Sequence, residues 1–233
     1  MDRISKVMAF SEKKSPQEIL RNICAIEGEK IVFSTSLSAE DQVITHMIHE
    51  FENNIEIFTL DTGRMFPETY TTLQKTIERY QKKIKVYFPN GHDVEKLMSE
   101  KGPSSFYDSV ENRKECCHIR KVEPLKRALQ GKIIWLTGIR ADHSPNRQSS
   151  NMVEYDAIHD VIKIHPLFHW SQKDVWDYIH EHQIPYNALH NEGFVSIGCQ
   201  PCTRAIKPEE DYRAGRWWWE EQSKKECGLH VSQ

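Results

Sequence analysis

Three short apolar runs constrain this chain more than any other feature of it. Ile31-Val32-Phe33, Ile55 to Leu60 and Ile133 to Thr137 are each too short for a helix, and each stops at a turn rich in hydroxyls or glycine. Helical stretches stand between them. Ser15-Pro16 caps and opens one that runs to about Glu27, with Ile19, Leu20, Ile23 and Ile26 on its apolar face and Gly28 at its end. A second follows the turn Ser34 to Asp41 and reaches about Phe51, and Pro67 starts a third that reaches about Lys82. Ile84 to Phe88 reads as a further strand and Asp93 to Lys101 as a further helix. Strands alternating with helices predict an α/β fold, a mostly parallel twisted sheet with helices on both faces. Ligands of such a sheet sit at the carboxyl ends of its strands, where the loops after Phe33, Leu60 and Thr137 lie.

The rest of the chain is less regular. Residues 102–110 read as a loop containing Gly102-Pro103. Cys116 to Leu129 reads as helical, broken into two turns by Pro124. Residues 139–150 are polar and turn-rich and carry Arg140 and Arg147. Val153 to Ile164 suits a hairpin, and Ser171 with Asp174 makes a capping box for a helix to Gln183. The tail after Pro208 is charged and aromatic rather than periodic. No repeat, low-complexity segment or linker divides the chain, so one domain over residues 1–233 is expected, with a mobile tail from about 208.

Net charge is −3, which gives no general basic field for nucleic acid, so an anion site must be a local cluster of arginines. Met1 to Ser15 has lysines but no apolar segment, and no run approaches a membrane-spanning length. A cytoplasmic protein is expected. Six cysteines in a reducing compartment then argue for metal binding or catalysis rather than disulfides.

Cys116-Cys117 with Cys199 and Cys202 is the strongest chemical signal. Four thiolates suit zinc or an iron–sulfur cluster; adjacent cysteines bridge one small zinc ion poorly, whereas separate irons give each its own partner. Lys121 falls four residues after Cys117, on the same helical face, beside an anionic centre. Cys227 is the candidate nucleophile: Gly228 follows it, Lys224, Lys225 and His230 favour its thiolate, and Glu226 works against it. Cys24 stands on a helix face and has no evident task. Arg213 and Arg216, three apart, suit an anionic substrate in a tail whose packing does not need them. Trp217, Trp218 and Trp219 read as packing. The turn Ser34 to Asp41 has neither a dinucleotide nor a P-loop fingerprint; it serves equally as an anion cradle or as a helix cap, Ser38 with Asp41. His46, His49, His180 and His182 fall on helix faces, with no His-x-x-x-His array of the zinc-hydrolase kind.

These residues carry a resemblance. Ser-Ala-Glu-Asp at 38–41, Leu-Asp-Thr-Gly-Arg at 60–64, Cys-Cys-x-x-Arg-Lys at 116–121, Thr-Gly-x-Arg at 137–140, Cys-x-x-Cys-Thr-Arg at 199–204, Gly-Arg-Trp-Trp-Trp at 215–219 and Glu-Cys-Gly-Leu-His at 226–230 span nearly the whole chain. Together they resemble the assimilatory sulfonucleotide reductases, and among them the iron–sulfur adenylyl-sulfate (APS) reductases. The resemblance implies a fold like the adenine-nucleotide hydrolases with a modified pyrophosphate loop. It implies reduction of APS to sulfite and AMP, with thioredoxin supplying electrons. It implies a [4Fe–4S] cluster on Cys116, Cys117, Cys199 and Cys202, and a Cys227 that becomes an S-sulfocysteine. By position, Ser34, Ser36, Lys121, Arg147, Arg213, Arg216 and His230 line the phosphosulfate and the active site, and Leu60 and Gly138 meet the adenosine through their backbone. One departure is Ser38, where the family often has glycine.

Members that reduce the 3′-phosphorylated nucleotide (PAPS) usually lack the cluster cysteines, which favours APS here, although some cluster-bearing members accept both. An adenylating ATP pyrophosphatase is a rival disfavoured by the absent Ser-Gly-Gly-x-Asp-Ser loop. A zinc-binding interaction module is the third reading. Oligomeric state is left open, a homo-oligomer included.

Overall fold

The structure, a computed structural model, describes residues 14–27, 30–143 and 151–221. The chain divides into two compact units. The first comprises the described residues of Met1–Thr59, Glu68–Lys85 and Leu129–Ala188, and the second those of Leu60–Pro67, Val86–Ala128 and Leu189–Gln233.

Six strands form one sheet: β1 (Ile31–Ser34), β2 (Glu56–Leu60), β3 (Lys85–Tyr87), β4 (Ile134–Leu136), β5 (Val153–Asp156) and β6 (Val161–Ile164). Their order is β3-β2-β1-β4-β6-β5. β1 is parallel to β2 and to β4, and β4 is parallel to β6. β5 runs antiparallel to β6, as the first arm of their hairpin. The mostly parallel α/β sheet expected from the apolar runs is thus present. Strand order reverses direction beside β1, between β2 and β4.

The first unit owes its core to matched periodicities. Helix α1 (Pro16–Glu27) presents Ile19, Leu20 and Ile23, and α2 (Ala39–His49) presents Val43, Ile44, Met47 and Ile48. They pack with Ile31 and Phe33 of β1, Ile134 and Leu136 of β4, and Val175 and Ile179 of α7 (Gln172–Glu181). Each such side chain contributes about 1.5–3 kcal/mol by leaving water. Helix α3 (Pro67–Tyr80) is unusual in burying Thr69, Thr72 and Thr76. Their polar groups are satisfied locally: Thr72 and Thr76 donate to carbonyls one turn back, and the buried Gln42 donates to Thr76 at 2.8 Å. Ser171 and Asp174 form the expected capping box on α7.

Three sequence expectations are corrected. Residues 102–110 are not all loop. Ser109 accepts the N–H of Asn112 and opens α5 (Val110–Cys117), so the cysteine pair ends a helix instead of starting one. The helix then widens into a π-turn at His118–Val122, closed by the Glu123 N–H on the His118 carbonyl, before α6 (Glu123–Leu129). Pro124, which has no N–H to give, follows that turn directly. Ser38 precedes α2 but makes no side-chain cap bond. Asp41 instead accepts from the Ser36 N–H at 2.6 Å and the Ser36 hydroxyl at 2.7 Å. The remaining helix is α4 (Gly91–Lys101), capped by Asn90. No helix among the described residues is long and apolar enough to cross a membrane.

Candidate active site

Both cysteine pairs lie in the second unit, and they converge. α5 delivers Cys116 and Cys117 from its last turn. Cys199 and Cys202 flank a tight 3-10 turn, Gln200–Cys202, in which Pro201 presets the backbone and the Cys202 N–H donates to the Cys199 carbonyl at 2.9 Å. Thr203 fixes that turn, accepting from the Gly198 N–H and donating to the Cys199 carbonyl. Tyr107 donates to the Pro201 carbonyl at 2.7 Å, and the Gln200 N–H donates to the Arg64 carbonyl at 2.8 Å. The four cysteines surround one cavity of about 370 Å³, counting its open mouth.

Cations crowd this cavity. Arg64, Arg113, Arg120, Lys121 and Arg216 line it, with Phe106 and Trp217 as its apolar wall. Arg113 is 1% exposed and forms a two-point bridge with Glu220, Nε to Oε1 at 2.9 Å and Nη2 to Oε2 at 2.8 Å. Arg120 donates to the Thr62 carbonyl at 2.7 Å, and its buried Nε has no hydrogen-bond partner. Arg64 lies over the Phe106 ring and donates to the Pro103 carbonyl. The Cys199 thiol donates to the Thr62 hydroxyl at 3.3 Å.

Trp217 organises the third side. It is 1% exposed, has a positive φ of 42°, and donates its N–H to the Cys202 carbonyl. For a bulky residue that conformation is strained and persists only where its surroundings hold it. The guanidinium groups of Arg113, Arg216 and Arg213 stand 4.6, 5.0 and 5.9 Å from its ring centre. The tail expectation changes accordingly: Arg216 is only 7% exposed and packing does use it. The expectation that the tryptophans pack holds best for Trp217; Trp219 meets Tyr107 edge-on, while Trp218 is partly exposed.

The donor set can be tested against a metal. A tetrahedral zinc ion with Zn–S of about 2.3 Å sets its sulfurs about 3.8 Å apart. Among the described residues, the group of ligand atoms within 4.8 Å of one another is His46, Glu50 and His182; the four thiols do not form such a group. They are spaced more widely than one zinc ion asks and suit a polynuclear centre, in which each sulfur meets its own metal atom. Burial pushes the Cys202 thiol up to about 12 and also raises Cys116. Sulfurs so placed become thiolates when a metal cation bonds to them.

The carboxyl edge of the sheet holds other expected residues. In the first unit, Ser34 accepts from the Trp135 indole N–H at 2.8 Å, tying β1 to β4. Ser36 gives both its N–H and its hydroxyl to Asp41. Gly138 is required there, because a Cβ on it would lie 2.1 Å from Asp41 Oδ1. Arg140 is buried and paired with the buried Glu40 at 3.1 Å. Leu60 ends β2 in the second unit and begins the turn that carries Thr62 and Arg64. Arg147, Cys227 and His230 lie outside the described residues.

The sequence pattern of the phosphoadenosine phosphosulfate reductase domain matches residues 30–205, a span that takes in both cysteine pairs. The chain belongs to this family. Among relatives of this reductase domain, the adenosine 5′-phosphosulfate reductase of Allochromatium vinosum is 49% identical over 213 residues, covering 91% of this chain and 83% of that protein. The protein of the same name from Neisseria meningitidis serogroup B is 50% identical over 199 residues, 85% and 81% of the two chains. The crystal structure of phosphoadenylyl-sulfate (PAPS) reductase from Candida auris has a TM-score of 0.75 at 28% identity, over 88% of this chain and 98% of that one. An FMN adenylyltransferase of Candida glabrata shares the fold, with a TM-score of 0.56 at 17% identity over 89% of this chain and 67% of that one.

In this reductase-domain chain, sequence reasoning missed Thr62, Arg64 and Arg113 as neighbours of the cysteines. Arg113 stands three residues before Cys116, and placing the helix start at Ser109 would have put both on one face. Thr62 and Arg64 sit in the Asp-Thr-Gly-Arg turn, whose link to the cysteines only tertiary structure reveals.

Proposed function

We propose that this chain reduces adenosine 5′-phosphosulfate to sulfite and AMP. The observation that carries the reading is the convergence of Cys116, Cys117, Cys199 and Cys202 on one cation-lined cavity, in a chain about half identical to proteins named for this activity. The four cysteines would hold a [4Fe–4S] cluster, which the donor set fits. When bound, the cluster supplies a rigid tie between the two cysteine pairs and a negative centre that Arg64, Arg120, Lys121 and Arg216 balance.

The thiol of Cys227 does the chemistry. Its thiolate attacks the sulfate sulfur, the bond from that sulfur to the phosphate oxygen breaks, and AMP leaves with the electron pair. The enzyme is left as an S-sulfocysteine. A thioredoxin thiolate then attacks the Cys227 sulfur and expels sulfite. The second thioredoxin thiol resolves the mixed disulfide and returns Cys227 as a thiol. The two electrons gained by sulfur come from the dithiol, which ends as a disulfide.

Arginine and lysine screening is what an attack on a dense anion needs. Lys121, Arg147, Arg213, Arg216 and His230 are assigned to the phosphosulfate, with Ser34 and Ser36, and Leu60 and Gly138 to the adenosine through their backbone. Engagement of Ser36 by a ligand oxygen requires Asp41 to release its N–H and hydroxyl. The whole chain acts as one reductase domain in this reading, in the cytoplasm; Arg216, Trp217 and Glu220 are packed in place, so the expected mobile tail narrows to the segment beyond them, which carries Cys227 to the site. Sulfite release measured with APS and PAPS side by side tests the assignment: higher catalytic efficiency with APS supports it, and higher efficiency with PAPS replaces it with the phosphorylated substrate.

A further inference from the structure

Away from the cysteines, the first unit brings two imidazoles and a carboxylate to one point. His46 and Glu50 stand one turn apart at the end of α2, and His182 caps the end of α7. One ligand atom from each lies within 4.8 Å of the others. The sequence alone gave these histidines no task, because His182 is far from His46 along the chain.

We propose that His46, Glu50 and His182 form a binding site for a divalent transition-metal ion, with zinc as the best match. The geometry around His46 is that of a prepared ligand. Its Nδ1 is hydrogen-bonded to the Tyr80 hydroxyl at 3.0 Å, which orients the ring. Its Nε2 is buried and has no hydrogen-bond partner. The nearest Glu50 oxygen is 3.6 Å from that nitrogen, beyond hydrogen-bond length. In the tautomer whose Nδ1–H donates to the Tyr80 hydroxyl, Nε2 points a lone pair at the carboxylate, and a cation between them satisfies both.

The other two ligands are similarly held. Arg79 of α3 donates to the carbonyls of His182 and Gln183, both at 2.7 Å, and so fixes the end of α7. Its charge opposes a second cation nearby, but its guanidinium is committed to those carbonyls. The His46 and His182 rings have centres 4.9 Å apart. A tetrahedral zinc ion with bonds of about 2.0–2.1 Å needs its ligands about 3.4 Å apart, so the donors draw in by about an ångström or less. Two imidazoles and one carboxylate suit zinc, leaving a position for water. The ion would clamp α2 to α7, a structural role independent of the reductase chemistry.

The test uses the full chain, prepared anaerobically with its cysteine centre intact, and zinc chloride against a chromophoric chelator. Wild type is expected to take up one more zinc per chain than His46→Gln/His182→Gln. His182→Gln alone is expected to bind that zinc at least about tenfold more weakly. Cobalt(II) is the second probe: the wild type should give weak bands of nitrogen and oxygen ligation that His182→Gln loses. Equal zinc uptake in wild type and variants, or a cobalt spectrum dominated by thiolate bands and unchanged in His182→Gln, overturns the proposal. Glu50→Gln, an isosteric change at a partly exposed residue, carries the same test should the histidine variants not fold.

Discussion

The Arg216 guanidinium fills the space that a side chain on Gly198 would need: a Cβ at Gly198 would lie 2.2 Å from Arg216 Nη2 and 2.5 Å from its Cζ. Glycine at this position therefore lets a buried cation sit against the Cys199 turn. Gly198→Ala should displace Arg216 at a cost of about 1–3 kcal/mol, the usual range for overpacking. The expected result is a lower thermal midpoint and weaker APS binding, with Arg216→Ala losing binding similarly. Unchanged stability and affinity in Gly198→Ala would show that Arg216 has another place to go.

The Arg113–Glu220 bridge is the most buried ion pair near the cysteines, with side chains 1% and 4% exposed. Removing one partner strands a buried charge, which typically costs about 3–5 kcal/mol. Glu220→Gln should therefore be strongly destabilised. The double variant Arg113→Met/Glu220→Leu should recover most of the loss, because neither charge is left behind. Denaturant midpoints of the three proteins settle the point; a mild single variant would mean that water reaches Arg113.

The cluster assignment makes its own forecast. Cys199→Ser should lose the brown colour, the iron and the acid-labile sulfide together. Equimolar zinc without sulfide in anaerobically prepared wild type would favour a zinc module instead.

Burial lifts the Asp41 carboxyl from its ordinary 3.8 to about 6, although hydrogen bonds from Ser36 pull it down. A carboxyl whose pKa is raised on folding binds its proton more tightly in the folded state. Its ionisation then costs stability progressively as pH rises from about 4 to about 6, and the cost is constant above that. Asp41→Asn should gain on the wild type across this window and level off beyond it. Thermal unfolding of both proteins over a pH series from about 4 to about 7 checks this, and parallel curves contradict it.

Most of the sheet is legible in the sequence because its central strands are buried on both faces and read as unbroken apolar runs: Ile31 to Phe33 and Ile133 to Thr137 mark β1 and β4 to within a residue at either end. The cysteine pairs are legible because their chemistry is dense and local. What the sequence hides is competition between partners. Asp41 chooses Ser36 over the cap position beside Ser38, since a hydroxyl and an N–H together outbid one cap bond. The start of α5 is obscured by Gly102-Pro103 just upstream, which reads as a longer loop than the chain forms. Arg216 looks like a tail residue until Trp217 and Gly198 enclose it.

The central claim is that Cys227 forms the covalent intermediate, and one measurement tests it directly. Reduced protein is incubated with APS in the absence of thioredoxin, and the digested chain is analysed by mass spectrometry. One SO₃ group is expected on the peptide carrying Cys227, and reduced thioredoxin should release it as sulfite. Cys227→Ser should keep its iron and bind APS yet carry no adduct. An adduct on any other cysteine, or wild-type turnover by Cys227→Ser, would contradict the account.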